Sequence, residues 1–267
     1  MNKNKKILTV VIIVLSLIVA GSGGFILFKL LNNQQSNDKY DALASSYVSG
    51  SSTADKGTAP TEGSTVPAEP NPVDFPSLQS NENDEIYSWL VVPNTQVDYP
   101  VLQSNTDDNF YIDHGVDKEY RFAGAIYSQF CNKKDYSDRV TVLYGHNMAD
   151  NSMFASLHDF EDADFFAANK DMIIYTPDKR LDYEIVAAYV YDDSHIMNSF
   201  DFSKDDVYKG FLDNVLHPHS IESHVREGAT LDVNDRIVIL STCLNYGEGR
   251  WLVVGKLTGE TPLGPHV

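Results

Sequence analysis

Cysteine is scarce in this chain: Cys131 and Cys243 are the only two in 267 residues. That excludes the disulfide-dense frameworks that hold small secreted domains together. Basic residues are scarce as well once the N-terminus is passed. The first 39 residues hold five lysines and one aspartate, against totals of 20 Lys and Arg and 38 Asp and Glu. The remainder is therefore strongly acidic, which argues against nucleic acid as a partner and favours solubility. No internal repeat is present. Metal-ligand spacings are missing too. His217, His219 and His224 have no cysteine or carboxylate set to complete a zinc site, and the acidic pairs Asp107-Asp108, Asp162 with Asp164, Asp192-Asp193 and Asp205-Asp206 lack calcium-loop spacing. Neither a metal nor any other cofactor is expected.

What the chain does have begins with one long uncharged run, Ile7 to Phe28, 22 positions in all. As a helix it would span ~33 Å, enough for the ~30 Å hydrocarbon core of a bilayer. Lys3, Lys5 and Lys6 precede it, so the positive-inside bias predicts residues 1–6 as a cytoplasmic tail, 7–28 as a transmembrane anchor and the bulk of the chain outside. A cleaved secretory signal is the competing reading, with Ala20-Gly21-Ser22 as the processing point. The run is longer than the ~7–15 residues of a signal core, and apolar character resumes at Phe25. From Asn32 to Pro72 the chain is rich in Ser, Thr, Asn, Gln, Ala, Gly and Pro, so residues 29–74 are expected to form a flexible extracellular tether, with a short helix around Tyr40 to Val48 as its one candidate element.

Residues 75–267 are the expected folded domain. A short helix is anticipated over Asn83–Leu90, with Ile86, Trp89 and Leu90 inward. Strands are anticipated over 97–103, 122–129, 139–144, 172–176, 181–191, 236–242 and 250–258, all rich in Val, Ile, Tyr and Leu and bounded by turn residues. Helical spacing recurs over Ser152–Phe160 and over Ser203–Leu216, where Ser203 and Asp206 suggest a capping box and Val207, Phe211, Leu212 and Val215 line one face. The fold class is mainly β, a mostly antiparallel barrel or sandwich with inserted helices.

The chemistry concentrates at strand ends. Cys243 closes one strand, Arg250 opens the next, and His146 follows the strand ending at Tyr144. A thiol, an imidazole and a guanidinium so placed suit thiol-based acyl transfer. Tyr144 and Ser241 each lie two positions before His146 and Cys243, so strand alternation points them to the same side as those residues. With Cys243 read as a free thiol, Cys131 is expected to be an ordinary buried or half-buried residue.

In order along the chain, Trp89-Leu90-Val91-Val92-Pro93-Asn94-Thr95, Val97-Asp98-Tyr99-Pro100-Val101, Gly124-Ala125-Ile126-Tyr127, Tyr144-Gly145-His146-Asn147-Met148, Ser152-Met153-Phe154, Leu240-Ser241-Thr242-Cys243 and Arg250 resemble the motifs of sortases, class B in particular. The resemblance spans about residues 83–258, and the helix before the Cys243 strand is similar to the class B insertion. It implies an eight-stranded sortase-type β-barrel with an N-terminal helix, on a membrane-anchored cysteine transpeptidase of Gram-positive surfaces. Such enzymes cut a C-terminal sorting motif (NPxTN-like, or LPxTG/PPxTG-like) after its threonine. They then join the protein to an amine of a peptidoglycan precursor or a pilin.

Carried over, Cys243 is the nucleophile, His146 the proton-transfer partner and Arg250 the oxyanion-steadying cation, with Ser241, Tyr144 and Thr242 as substrate contacts. Two departures stand out: Ile239 replaces the usual threonine, and the loop from Cys243 to Arg250 is short. Three competing functions are a papain-like wall peptidase, an L,D-transpeptidase and a non-catalytic surface adhesin. The first would place Cys before His in sequence. The second would carry a Ser-x-Gly-Cys motif, unlike Ser241-Thr242-Cys243. The third would tolerate loss of Cys243.

Overall fold

The structure is a computed structural model that describes residues 3–49 and 68–267. Its organising element is a sheet closed on itself. Strands β1 (Glu69–Pro70), β2 (Ile86–Val91), β3 (Asp98–Leu102), β4 (Ile126–Tyr127), β5 (Val140–Tyr144), β6 (Asp171–Tyr175), β7 (Lys179–Tyr191), β8 (Ser223–Val225), β9 (Ile237–Cys243) and β10 (Arg250–Gly264) pair in the order β1-β10-β9-β5-β4-β3-β2-β6-β7-β8. An additional β10–β7 pairing closes the inner eight into a barrel and leaves the short β1 and β8 on its rim. Most pairs are antiparallel. The pairs β3–β4, β5–β9 and β1–β10 are parallel.

Strand alternation sorts the side chains into two cores. Leu143, Val238, Leu240, Trp251 and Val253 fill the barrel interior. Val142, Ile239, Leu252 and Val254 point outward and are covered by α5 (Asp205–Leu216), through Tyr208, Phe211, Leu212 and Val215. Fully burying one such side chain is worth roughly 1.5–3 kcal/mol, so a helix with four buried positions is firmly held against the barrel wall.

Several sequence expectations need correction. Asn83–Leu90 is not a helix. The helix lies earlier, as α2 (Phe75–Asn81), with the Asp74 side chain accepting from the Ser77 amide and a proline in its first turn. All six residues of β2 are buried, so no alternation marks the strand, and a short continuous apolar run reads equally as helix or strand. The strand expected over 122–129 shrinks to the two residues of β4. The helical stretch 152–160 is a 3₁₀ segment, Ala155–Glu161, followed by α3 (Ala163–Ala168), with Phe154, Leu157 and Phe160 buried. A further short helix, α4 (Ile196–Ser199), precedes α5. At the start of α5, Ser203 bonds to Asp201 through both its amide and its hydroxyl, so no capping box forms. Val207 is half-buried and Tyr208 takes the core position.

The largest difference concerns the expected tether. Helix α1 (Lys3–Tyr47) continues through the anchor region and on to Tyr47, where Tyr40 and Leu43 are buried. Tyr40 donates to the Gly124 carbonyl (2.9 Å), the Asn32 side chain accepts from the Phe122 amide (2.8 Å), and Lys39 pairs with Glu82 (2.5 Å). Two buried apolar side chains in a polar stretch give the sequence too little periodicity to announce this packing. Pro60 and Pro67 of the expected tether lie outside the described residues. Within α1, the stretch from Val11 is long and apolar enough to cross a membrane.

Candidate functional site

Arg250 stands directly opposite Cys243 in the β9–β10 ladder. The loop between them returns through Gly249, at φ +129°, where a Cβ would lie 2.8 Å from the Tyr191 carbonyl oxygen, so only glycine fits. The result is direct contact: Arg250 Nη1 donates to Cys243 Sγ at 2.8 Å. Cys243 is exposed, the first exposed residue after six buried ones along β9.

His146 arrives from β5. That strand runs parallel to β9 with Tyr144 beside Ser241, and the Gly145 amide donates to the Ser241 carbonyl (3.2 Å). Parallel register thus carries His146 out of the barrel at the same end as Cys243. Gly145 is required for packing: a Cβ there would meet Ile126 Cδ1 at 2.6 Å and Phe154 Cγ at 2.7 Å. The imidazole is bonded elsewhere than to the thiol. His146 Nε2 donates to the Ile112 carbonyl (2.6 Å), and the ring stacks on Phe122 at 6.4 Å and 11°. Because a carbonyl only accepts, this bond fixes the proton on Nε2 and leaves Nδ1 to exchange one.

Sequence reasoning assigned no role to Asn147, although it lies in a quoted motif. Its Nδ2 donates to the Cys243 carbonyl (3.1 Å) and to Asn245 Oδ1 (2.9 Å), tying the His146 loop to the end of β9. His158 was not singled out at all, yet its Nε2 lies 3.0 Å from the same carbonyl. Neither has a local sequence signal beyond proximity to the Tyr144–Met148 motif.

Tyr144, Ser241 and Arg250 line one cavity of about 70 Å³ together with Tyr191, His195 and Leu252. Burial pushes the Tyr144 phenol pKa well up, so it stays a neutral donor. A second, open groove of about 540 Å³ runs past Cys243, Asn147, His158, Asp159, Glu161 and Asn245. Thr242 does not join these surfaces. It is 1% exposed and occupies an interior-facing position of β9, with its Oγ1 buried and unpartnered, so the expectation of a substrate contact is corrected by strand alternation. Cys131 is also corrected: it is exposed, in the loop after β4, and unpaired, as is Cys243. Its thiol is still crowded enough that desolvation, helped by Asp108, raises its pKa. Of the three histidines weighed as a zinc set, His217 and His224 bond to separate backbone carbonyls, those of Asp213 and Glu161.

Comparison with known proteins agrees with this geometry. The sortase domain family matches residues 90–258. Sortase B of Staphylococcus aureus is 29% identical over 258 residues, covering 95% of this chain and 97% of that protein. Sortase B of Listeria monocytogenes is 29% identical over 188 residues, covering 69% of this chain and 65% of that protein, a little under two thirds of its length. Among solved structures, sortase B of B. anthracis superposes with a TM-score of 0.69 at 28% identity, covering 86% of this chain and 99% of that one. A Staphylococcus aureus sortase B–substrate complex gives 0.66 at 25% identity, covering 85% and 98%. Closed eight-stranded barrel, N-terminal helix and matching domain lead to one conclusion: the chain belongs to the sortase family of transpeptidases, within its class B.

Proposed function

We propose that this chain is an anchored surface transpeptidase in which Cys243 is the nucleophile, Arg250 the stabiliser of negative charge and His146 the proton donor. The thiolate attacks the carbonyl carbon of the threonine in a C-terminal sorting motif, forming a C–S bond and placing negative charge on the carbonyl oxygen. Arg250 keeps its charge at working pH, and its guanidinium offers several N–H donors, so one can steady the thiolate before attack and another the oxyanion after it. Collapse of the intermediate breaks the C–N bond, and His146 Nδ1 supplies the proton that the leaving amine needs. An acceptor amine then attacks the thioester, loses a proton to His146, and the C–S bond breaks to release Cys243 as the thiolate, which restores the starting state. Ser241 and Tyr144, beside Arg250 in the small cavity, are proposed as contacts to the sorting peptide.

The observation that carries the reading is the Arg250 Nη1–Cys243 Sγ contact of 2.8 Å at the exposed corner of β9 and β10. The apolar part of α1, preceded by Lys3, Lys5 and Lys6, supports a single membrane anchor with the N-terminus cytoplasmic and the barrel outside. The proposed clients are surface proteins ending in NPxTN-like or LPxTG/PPxTG-like signals, and the acceptor is a peptidoglycan-precursor or pilin amine. Transfer is tested by chromatography of motif peptides incubated with the full chain in detergent and with candidate amines. The expected result is an amine-dependent joined product that disappears in Cys243→Ala. Equal product from Cys243→Ala would refute the reading.

A further inference from the structure

Beside the reacting corner lies a second histidine that the Cys243, His146 and Arg250 set leaves unused. His158 sits in the 3₁₀ segment Ala155–Glu161 with its side chain only 9% exposed. Its ring stacks on Trp251 at 6.1 Å, and the Trp251 indole N–H in turn donates to the Leu157 carbonyl (2.9 Å). Nδ1 lies 2.5 Å from Glu161 Oε1, and Nε2 lies 3.0 Å from the Cys243 carbonyl oxygen. Nδ1–H donates to the Glu161 carboxylate, and Nε2 sits between the Cys243 carbonyl and the Asn147 side chain, 3.1 Å from Asn147 Nδ2.

The target of this pair is the backbone of the nucleophile itself. Beyond Cys243 the chain leaves β9 for the exposed loop 244–249, so the peptide after Cys243 has no continuing strand to fix its plane. Its carbonyl is held instead by Asn147 Nδ2 at 3.1 Å, with His158 Nε2 packed against both, 3.0 Å from the carbonyl oxygen and 3.1 Å from Asn147 Nδ2. A rotation of that peptide tilts the Cα–Cβ bond of Cys243 and withdraws Sγ from Arg250. Misplacing a reacting atom by about 1 Å costs on the order of 10²-fold in rate. Glu161 is itself fastened, because its backbone carbonyl accepts from His224 Nε2 at 2.8 Å.

We propose that His158, braced by Glu161, is a positioning residue: with Asn147 it holds the Cys243 carbonyl and so aims the thiol at Arg250 and at the incoming carbonyl. The proposal rests on Cys243 being the nucleophile. Alkylation of Cys243 by iodoacetamide needs no peptide, and Cys131, which lies outside the groove lined by His158, serves as an internal reference when both sites are followed by peptide mass mapping. His158→Ala is expected to slow Cys243 alkylation about tenfold while Cys131 is unaffected. His158→Gln, whose amide N–H reaches the same carbonyl, should recover most of that rate. With motif peptides, His158→Ala should lower kcat by a similar factor at unchanged KM, a split that a general loosening of the groove would not give.

Equal alkylation of Cys243 in folded His158→Ala and wild-type protein would overturn the proposal, as would a His158→Gln variant no faster than His158→Ala. Should His158→Ala fail to fold, Glu161→Ala decides, since it removes the acceptor that braces Nδ1 and that side chain is 41% exposed. It is expected to slow alkylation several-fold, and an unchanged rate would overturn the clamp. A wild-type enzyme that never reacts with any peptide would instead count against the transpeptidase reading, while the alkylation comparison still judges His158.

Discussion

Arg250 and His146 reach the same end of the barrel by different means. Arg250 is placed by strand pairing: it faces Cys243 across an antiparallel ladder, and its guanidinium already donates to the sulfur at 2.8 Å. His146 lies two residues past the end of β5, on a loop, and its imidazole is held by the Ile112 carbonyl at 2.6 Å and by stacking on Phe122. A ladder holds its members with many bonds at once and, with the Cys243 carbonyl also held at the strand end, the cation and the thiol form a preorganised pair. A loop contact is made by few bonds, which suits the proton-donor role proposed for His146. Under the proposed roles, charge stabilisation falls to the stiff part of the site and proton delivery to the adaptable part.

That contrast can be broken residue by residue. Cys243→Ala should abolish transfer, while Arg250→Ala is expected to lower kcat/KM by about 10²–10³ and His146→Ala by about 10²–10⁴. Steady-state assays with one motif peptide check all three. If the stiff pair matters for its geometry, Arg250→Lys should recover little, because an ammonium lacks the planar fork of donors.

Gly145→Ala attacks the point where the loop leaves β5. Its new Cβ would meet Ile126 and Phe154 well inside contact distance. A loss of about 1–3 kcal/mol in urea unfolding is expected, with a fall in turnover as His146 shifts. Phe122→Ala removes the ring stacked on His146, together with that ring's contact to the Lys29 ammonium. It should reduce turnover by about tenfold or less, and leave Cys243 alkylation at the wild-type rate because the Arg250 contact is intact. An equal loss of alkylation would show that the two parts are not separable. Smallest of all, Cys131→Ser should leave transfer unchanged in the same assay. Its exposed thiol touches neither cavity at the reacting corner, and its raised pKa keeps it a poor nucleophile at neutral pH.

The parts of the site built by strand pairing were the parts legible in the sequence. The runs ending at Tyr144 and Cys243 and starting at Arg250 carry strong β-forming residues, and reading them as strands is enough to bring Cys243 and Arg250 together. Tyr144 and Ser241 followed from alternation, and both line the cavity beside Arg250. The same alternation, applied to Thr242, would have turned it toward the barrel interior, where it is buried. What sequence could not supply was contact between distant loops. The Ile112 carbonyl, Asn147 and His158 act on His146 or Cys243 across long sequence separations, and a backbone carbonyl has no side-chain signature. The end of α1 was legible as a short helix around Tyr40 to Val48, but its continuity with the anchor was hidden for a related reason: its packing depends on Gly124, Phe122 and Glu82, far along the chain.

The most direct test of the central claim, that the Cys243–Arg250 corner performs acyl transfer, is intact mass spectrometry of the enzyme incubated with sorting-motif peptides and no acceptor amine. Wild-type protein should gain the mass of the peptide fragment up to its threonine, mapped to Cys243. Cys243→Ala should gain nothing, and Arg250→Ala should gain it far more slowly. A reactive Cys243 thiol that forms no adduct with any motif, or an adduct that persists in Cys243→Ala, would contradict the account.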